Sequence, residues 1–80
     1  MKLSIYTIQS TLFDGEVEKI IARTSTGEIT VLDGHIPLMS VLKGPTVEVA
    51  GKNSERKTIS LSSGFLEVRP GSKVVILANQ

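Results

Sequence analysis

The chain has 80 residues, which is enough for one small domain but too few for two ordinary ones. Nine Lys or Arg residues against eight Asp or Glu give a formal net charge of +1, and the absence of a basic stripe argues against a nucleic-acid-binding protein. The sequence has no cysteine for disulfides or thiolate metal sites, and no apolar run approaches the roughly 20 residues that a membrane helix needs.

The residue types favour strands over helices. Val, Ile and Thr make up 23 of the 80 residues, and branching at Cβ suits a pleated, half-buried surface. Seven glycines and three prolines divide the chain into short segments, so a helix of ordinary length has little room. The composition therefore predicts one compact all-β domain.

Alternation of apolar and polar residues predicts where the strands lie. In chain order it indicates strands at residues 17–24 and 28–32, around Val47 and Val49, and at residues 56–62, 64–69 and 73–78. The last of these contains a continuous apolar run at residues 74–77, which predicts a strand buried on both faces.

Turn residues separate these segments. A tight turn is predicted at Asp14 and Gly15, and a hairpin turn at residues 51–54. Pro70 and Gly71 fit the central pair of a type II turn, in which glycine takes the position with positive φ. The sequence shows no linker and no repeat.

Catalytic and metal-binding patterns are weak. His35 is the only histidine, and with Asp33 and a nearby serine it could form a hydrolytic triad, but a nucleophile-elbow motif is missing. Asp14, Glu16 and Glu18 alternate along one segment, yet one histidine and no cysteine make a metal site improbable. No glycine-rich phosphate loop occurs. We therefore expect an interaction protein that has no cofactor, no metal and no catalytic residues.

A second alternative is a generic β-sandwich module that binds a ligand or carbohydrate. Such a module predicts an exposed aromatic cleft. The sequence supplies only Tyr6, Phe13 and Phe65 for it.

Three blocks of sequence, in a fixed order, together suggest a family. The first is LFDGEVE at residues 12–18, the second is GEITVLDGHIPL at residues 27–38 followed by LKG at 42–44, and the third is SGFLEV at 63–68 followed by VVILAN at 74–79. The ordered set resembles the epsilon subunit of bacterial and chloroplast F-type ATP synthases, which is called delta in mitochondria.

The chain departs from the family pattern at a few positions. Thr30 and Ser63 stand where the family commonly has Gly, Asp33 stands where it often has Pro, and Gly44–Pro45 reverses the usual order of these two residues. These positions lie in or beside turns or at a strand edge. They bear on local backbone geometry more than on the overall likeness.

The resemblance implies a fold and a function. The expected fold for residues 1–80 is a small antiparallel β-sandwich of two packed sheets with about eight to ten short strands. The expected function is that of a non-catalytic central-stalk subunit, which joins the gamma subunit to the c-ring and helps couple ion translocation to ATP synthesis. Its expected location is peripheral, on the cytoplasmic face of the cell inner membrane or in the equivalent organelle compartment, with membrane contact only through the c-ring. The family's C-terminal helical hairpin is missing from this sequence, so the resemblance implies neither inhibition nor nucleotide binding.

The resemblance also implies two interfaces. The expected c-ring contact is formed by Ser25, Thr26, Gly27 and Glu28, with Glu28 forming an ion pair with a basic residue of the ring. The expected gamma contact is formed by Gly34, His35, Ile36, Pro37, Leu38 and Ser40. Glu28 could instead be a solvated turn acid, and Ile36 and Leu38 could instead fill the core.

Overall fold

Eight strands account for most of the chain in the computed structural model, which describes residues 1–52 and 55–80. In chain order they are β1 (Lys2–Tyr6), β2 (Thr11–Glu16), β3 (Lys19–Thr24), β4 (Gly27–Leu32), β5 (Leu38–Ala50), β6 (Arg56–Ser60), β7 (Ser63–Arg69) and β8 (Lys73–Asn79). The predicted all-β class and number of strands are confirmed. Within the described residues, no helix is long and apolar enough to cross a membrane.

Strands β3, β4, β6, β7 and β8 lie where alternation predicted them, but the predicted turn at Asp14 and Gly15 is wrong. Both residues lie inside β2, where Asp14 is opposite Ser4 and Gly15 is opposite Leu3 of β1. Pairing with β1 therefore overrides the local turn preference. Gly71 has the positive φ that its predicted turn requires, at 84°. The predicted turn at 51–54 includes residues 53 and 54, which lie outside the described residues.

Hydrogen bonding links all eight strands, in the order β2-β1-β8-β7-β5-β3-β4, with β6 paired to the second half of β5. The neighbouring strands are antiparallel, as expected, with one exception: β1 and β8 run parallel. This parallel pair joins the hairpin of β1 and β2 to the edge of β8.

The long strand β5 belongs to both layers of the sandwich. The first layer contains β2, β1, β8, β7 and the first half of β5, and the other layer contains the second half of β5 with β3, β4 and β6. Thirteen extended residues would span about 40 Å, whereas the longest dimension of the domain is 26 Å, so β5 must bend. The residues before Gly44 pair with β7, and the residues after Pro45 pair with β6. A Cβ atom at residue 44 would overlap the carbonyl oxygen of Leu61, so only glycine allows the backbone to pass this close.

The core lies between the inward faces of these strands. Nine large side chains are almost completely buried: Leu3, Ile5, Ile20, Val31, Leu42, Val47, Leu66, Val74 and Ile76. Along β8, however, Leu77 is 56% exposed between buried neighbours. The predicted burial of this strand on both faces is wrong, because the other layer covers only one face of the sheet.

Candidate interaction surfaces

A tight turn positions the loop that contains the predicted gamma-facing residues. The His35 backbone N–H donates to the Leu32 carbonyl oxygen at 3.1 Å, and Gly34 takes φ of 77° at the third position of the turn. Positive φ at that position is the requirement of a type II turn, and glycine meets it without strain. The turn aims the following residues away from β4.

An ion pair fixes this loop to the start of the chain. The Met1 ammonium lies 2.7 Å from the Asp33 carboxylate and 3.4 Å from that of Glu16, and it donates to the Val17 carbonyl oxygen at 2.8 Å. The hydrogen bond that the ammonium donates to the Asp33 carboxylate outweighs the effect of burial and raises the pKa of the ammonium above its ordinary value. We call this region, with Met1, Asp33 and Ser72, the loop end; Lys2 N–H donates to the Ser72 carbonyl oxygen.

The predicted gamma-facing residues divide into two groups. Gly34, Ile36 and Pro37 are exposed, and Ile36 exposes 73% of its surface. Leu38 and Ser40 are half-buried on the inward side of β5, where Leu38 packs against the core. The loop residues are therefore available to a partner, whereas Leu38 and Ser40 can act mainly by shaping the strand.

His35 and Asp33 do not form a hydrolytic dyad. The half-buried His35 ring donates from Nδ1 to the Ile36 carbonyl oxygen at 2.7 Å, and Asp33 faces the Met1 ammonium. A triad requires the carboxylate to orient the imidazole. The described residues also contain no group of three or more His, Asp or Glu side chains arranged to hold a metal ion.

The predicted c-ring residues form an exposed, hydrogen-bonded hairpin turn between β3 and β4. Thr24 Oγ1 accepts from the Thr26 backbone N–H at 3.2 Å and donates to the Gly27 carbonyl oxygen at 2.9 Å. Ser25, Thr26, Gly27 and Glu28 are all exposed. The structure thus keeps these four residues together on one turn.

The hairpin turn lies at the opposite end of the domain from the Asp33 loop. Strand register forms one row across five strands, namely Glu28, Arg23, Lys43, Ser63 and Asn79. We call the region that contains this row and the turn at Thr26 the turn end. Strand β4 separates the two ends by about 17 Å. The two predicted groups are therefore distinct surfaces.

An apolar surface that the sequence did not reveal lies on the outward face of the first layer. Register places Tyr6, Leu77, Phe65 and Val41 side by side on β1, β8, β7 and β5. Their exposures are 37%, 56%, 36% and 63%, in the same order. We call these four residues the apolar row. The sequence signal for this surface is the unbroken apolar run at residues 74–77, which also fits a strand with one open face.

The apolar row continues toward the loop end along β5. Met39, which is 64% exposed, lies two residues before Val41 on that strand and two residues after Pro37. The charged residues that border the apolar row form ion pairs. Lys2 Nζ lies 3.2 Å from Asp14 Oδ1, and Arg69 Nε lies 3.0 Å from Glu67 Oε1. The outward face is thus an apolar stripe bordered by locally neutralised charges, which is typical of a protein interface.

Comparison with known proteins identifies relatives along the whole chain. The family model described as "ATP synthase, Delta/Epsilon chain, beta-sandwich domain" matches residues 1–80. The ATP synthase epsilon chain of Brevibacillus brevis is 36% identical over 78 residues, covering 98% of this chain and 58% of the relative. That of Priestia megaterium is 40% identical over 76 residues, covering 95% of this chain and 55% of the relative.

Two solved structures of mitochondrial ATP synthases contain a chain with a similar fold. A chain in the Euglena gracilis mitochondrial ATP synthase, solved as an OSCP, F1 and c-ring assembly, superimposes with a TM-score of 0.88 and 28% identity, covering 98% of this chain and 49% of that one. A chain from the Tetrahymena thermophila mitochondrial ATP synthase central stalk and c-ring has a TM-score of 0.81 and shares the fold, with 17% identity and coverage of 100% and 63%. The present chain spans a little over half the length of its curated relatives.

Proposed function

The chain belongs to the family of ATP synthase delta and epsilon β-sandwich domains, and from this premise we propose that it is a non-catalytic central-stalk subunit of an F-type ATP synthase. In this role it joins the gamma subunit to the c-ring and helps couple ion translocation to ATP synthesis. The observation that carries the proposal is the presence of two distinct exposed surfaces on one small sandwich. The subunit would be peripheral to the membrane, on its cytoplasmic face or the equivalent organelle side.

The gamma subunit is the proposed occupant of the apolar row and the adjoining loop. Tyr6 and Phe65 offer aromatic contact area, and Leu77 and Val41 extend it across four neighbouring strands. Aromatic and apolar side chains at the centre of such a patch usually dominate binding energy. The exposed residues Gly34, Ile36 and Pro37 would meet gamma at the margin of this surface.

The c-ring is the proposed partner of the hairpin turn. Ser25, Thr26, Gly27 and Glu28 project from one corner, and the Thr24 hydroxyl fixes their backbone. A turn held in this way loses little conformational entropy on docking. Gamma and the c-ring would then contact different regions of the same domain.

A sandwich of this kind suits the transmission of torque. All eight strands are linked by hydrogen bonds, and β5 passes from one layer into the other. Closely packed interiors have low compressibility and transmit strain. Rotation delivered at one surface would therefore reach the other with little internal deformation.

The test mixes the chain with the gamma subunit from the same genome and measures complex formation by sedimentation. We expect a saturable one-to-one complex, and we expect Leu77→Ser to weaken it by roughly tenfold, as for loss of one apolar anchor worth about 1.4 kcal/mol. Leu32→Ser is the matched control, because Leu32 is 53% exposed on the outward face of the other layer. Equal losses in the two variants, or no binding by the folded chain, would count against docking of gamma on the apolar row.

A further inference from the structure

Two basic residues lie directly opposite each other at the turn end. Register pairs Arg23 of β3 with Lys43 of β5, and both side chains are exposed. Like charges placed directly opposite on neighbouring strands are destabilising. The arrangement therefore works against the stability of the free domain.

Within the described part of the chain, no carboxylate forms an ion pair with Arg23 or Lys43. Glu28 is opposite Arg23 on β4, yet among the residues that the structure describes neither base forms an ion pair. Lys2 and Arg69, by contrast, each have a nearby carboxylate at 3.0–3.2 Å. The side chains of Arg23 and Lys43 therefore present their positive charges to solvent.

The backbone holds both bases in place. Arg23 precedes Thr24, whose hydroxyl fixes the hairpin turn. Lys43 precedes Gly44, where Leu61 leaves no room for a side chain and the N–H donates to the Ser62 carbonyl oxygen at 3.0 Å. The separation of the two Cα positions is therefore set by the fold.

Between the two bases lies an open depression of about 210 Å³, lined by Arg23, Thr24, Gly27, Glu28, Lys43 and Gly44. We propose that Arg23 and Lys43 jointly receive a carboxylate side chain of the protein partner at the turn end. The inference rests on the proposed function, since that partner is the c-ring. It assigns the principal charge of this contact to the basic pair, and it gives Glu28 the secondary role of a neighbouring acid opposite Arg23.

The chemistry of the depression favours a carboxylate over an anionic lipid surface. Two positive groups and one negative group line it, so a single negative charge can be seated between the bases. A membrane surface presents many negative charges over a wide area, and Glu28 would repel them. The formal net charge of only +1 also gives little general attraction to such a surface.

Lys43→Glu is the most informative variant. It should raise the urea midpoint of the free chain, because it replaces a like-charge pair with an opposite-charge pair. It should weaken binding to an ATP synthase complex depleted of this subunit, from the same organism, by roughly fivefold, as expected for about 1 kcal/mol of lost ion pairing. A higher urea midpoint together with a lower affinity for the complex would show that Lys43 serves binding and not folding. A loss of both stability and affinity would overturn the proposal.

Matched variants separate this inference from the proposed function. Arg23→Glu should weaken binding in the same way, and Arg56→Glu should not, because Arg56 is an exposed base on the edge strand β6. The inference fails if Lys43→Glu and Arg23→Glu bind as well as Arg56→Glu does. In that case the proposed function still stands, provided that the wild-type chain binds and Leu77→Ser weakens the complex. If the wild-type chain does not bind, the proposed function itself fails.

Two further measurements identify the source of the negative charge. An acid-to-lysine change in the polar loop of the c-ring should restore the binding of Lys43→Glu. Vesicles that contain anionic lipid and no protein should bind the wild-type chain and Lys43→Glu equally weakly. Strong vesicle binding that is lost in Lys43→Glu would replace the carboxylate with a lipid headgroup and overturn the proposal.

Discussion

Two leucines show how far the environment of one residue type differs across a single sheet layer. Leu42 is completely buried, whereas Leu77 is 56% exposed on the opposite face. We expect Leu42→Ala to lower the free energy of unfolding by about 2–5 kcal/mol, because it leaves a cavity in the core. Leu77→Ala should change it by no more than about 0.5 kcal/mol. Urea unfolding of the free chain measures both, and similar losses in the two variants would contradict this assignment of faces.

The pair formed by Lys2 and Asp14 makes stability depend on acid pH. The hydrogen bond and charge of Lys2 lower the pKa of the Asp14 carboxyl below its ordinary value. Its contribution is therefore complete above the unfolded pKa of about 3.9 and is lost as pH falls through the folded pKa. We expect the urea midpoints of wild type and Asp14→Asn to differ at about pH 6 and to approach each other as the pH falls through the folded pKa of Asp14.

Lys2→Met is the control for this pair. It should remove most of the pH-dependent difference, because the cation that lowers the pKa is gone. A difference between wild type and Asp14→Asn that persists unchanged in strong acid would show that Asp14 acts through its neutral contact with Ser4 instead.

The bend in strand β5 depends on the lack of a side chain at Gly44. Gly44→Ala would place a methyl group against the Leu61 carbonyl oxygen and should destabilise the domain by about 1–3 kcal/mol. Gly15→Ala is the matched control in a strand, since its added carbon would meet the Phe13 ring at an ordinary 3.7 Å. Thermal unfolding compares the two, and a neutral Gly44→Ala would show that β5 can relax around the bend.

At the level of elements, local sequence predicted the strands that alternate cleanly, and it failed where distant pairing decides. Strand β6 was predicted because Ile59 faces the core between polar neighbours. Strand β2 was not predicted, because its register with β1 overrides the turn preference of Asp14 and Gly15. The length of β5 was hidden by Gly44 and Pro45, which read locally as a break.

The same distinction applies to the candidate site. The turn at Ser25 and Thr26 and the loop around Gly34 lie in contiguous segments that the family resemblance singled out, and both prove to be exposed. The apolar row could not be predicted from contiguous sequence, since its members are brought together only by the pairing of four strands. Their roles in docking remain predictions.

For the molecule as a whole, the strand order predicts how stability is distributed. Strands β7 and β8 each have a neighbour on both sides, whereas β2, β4 and β6 lie at edges. Amides at edges open more readily than those of central strands. We expect hydrogen exchange followed by NMR to be slowest in β7 and β8 and fastest along the outer sides of β2, β4 and β6. Protection of β4 equal to that of β7 would instead show that a second copy pairs with this edge.

The parallel pairing of β1 with β8 determines where attached labels would sit. Because the two strands run in the same direction, Met1 and Asn79 lie at opposite ends of the domain, separated by about 20 Å of strand. A fluorophore at Gln80 would report on the turn end and leave the Met1 ammonium in place. One attached at the amino group of Met1 would remove the ion pair with Asp33. A linker joining Met1 to Asn79 would therefore have to run the length of these two strands.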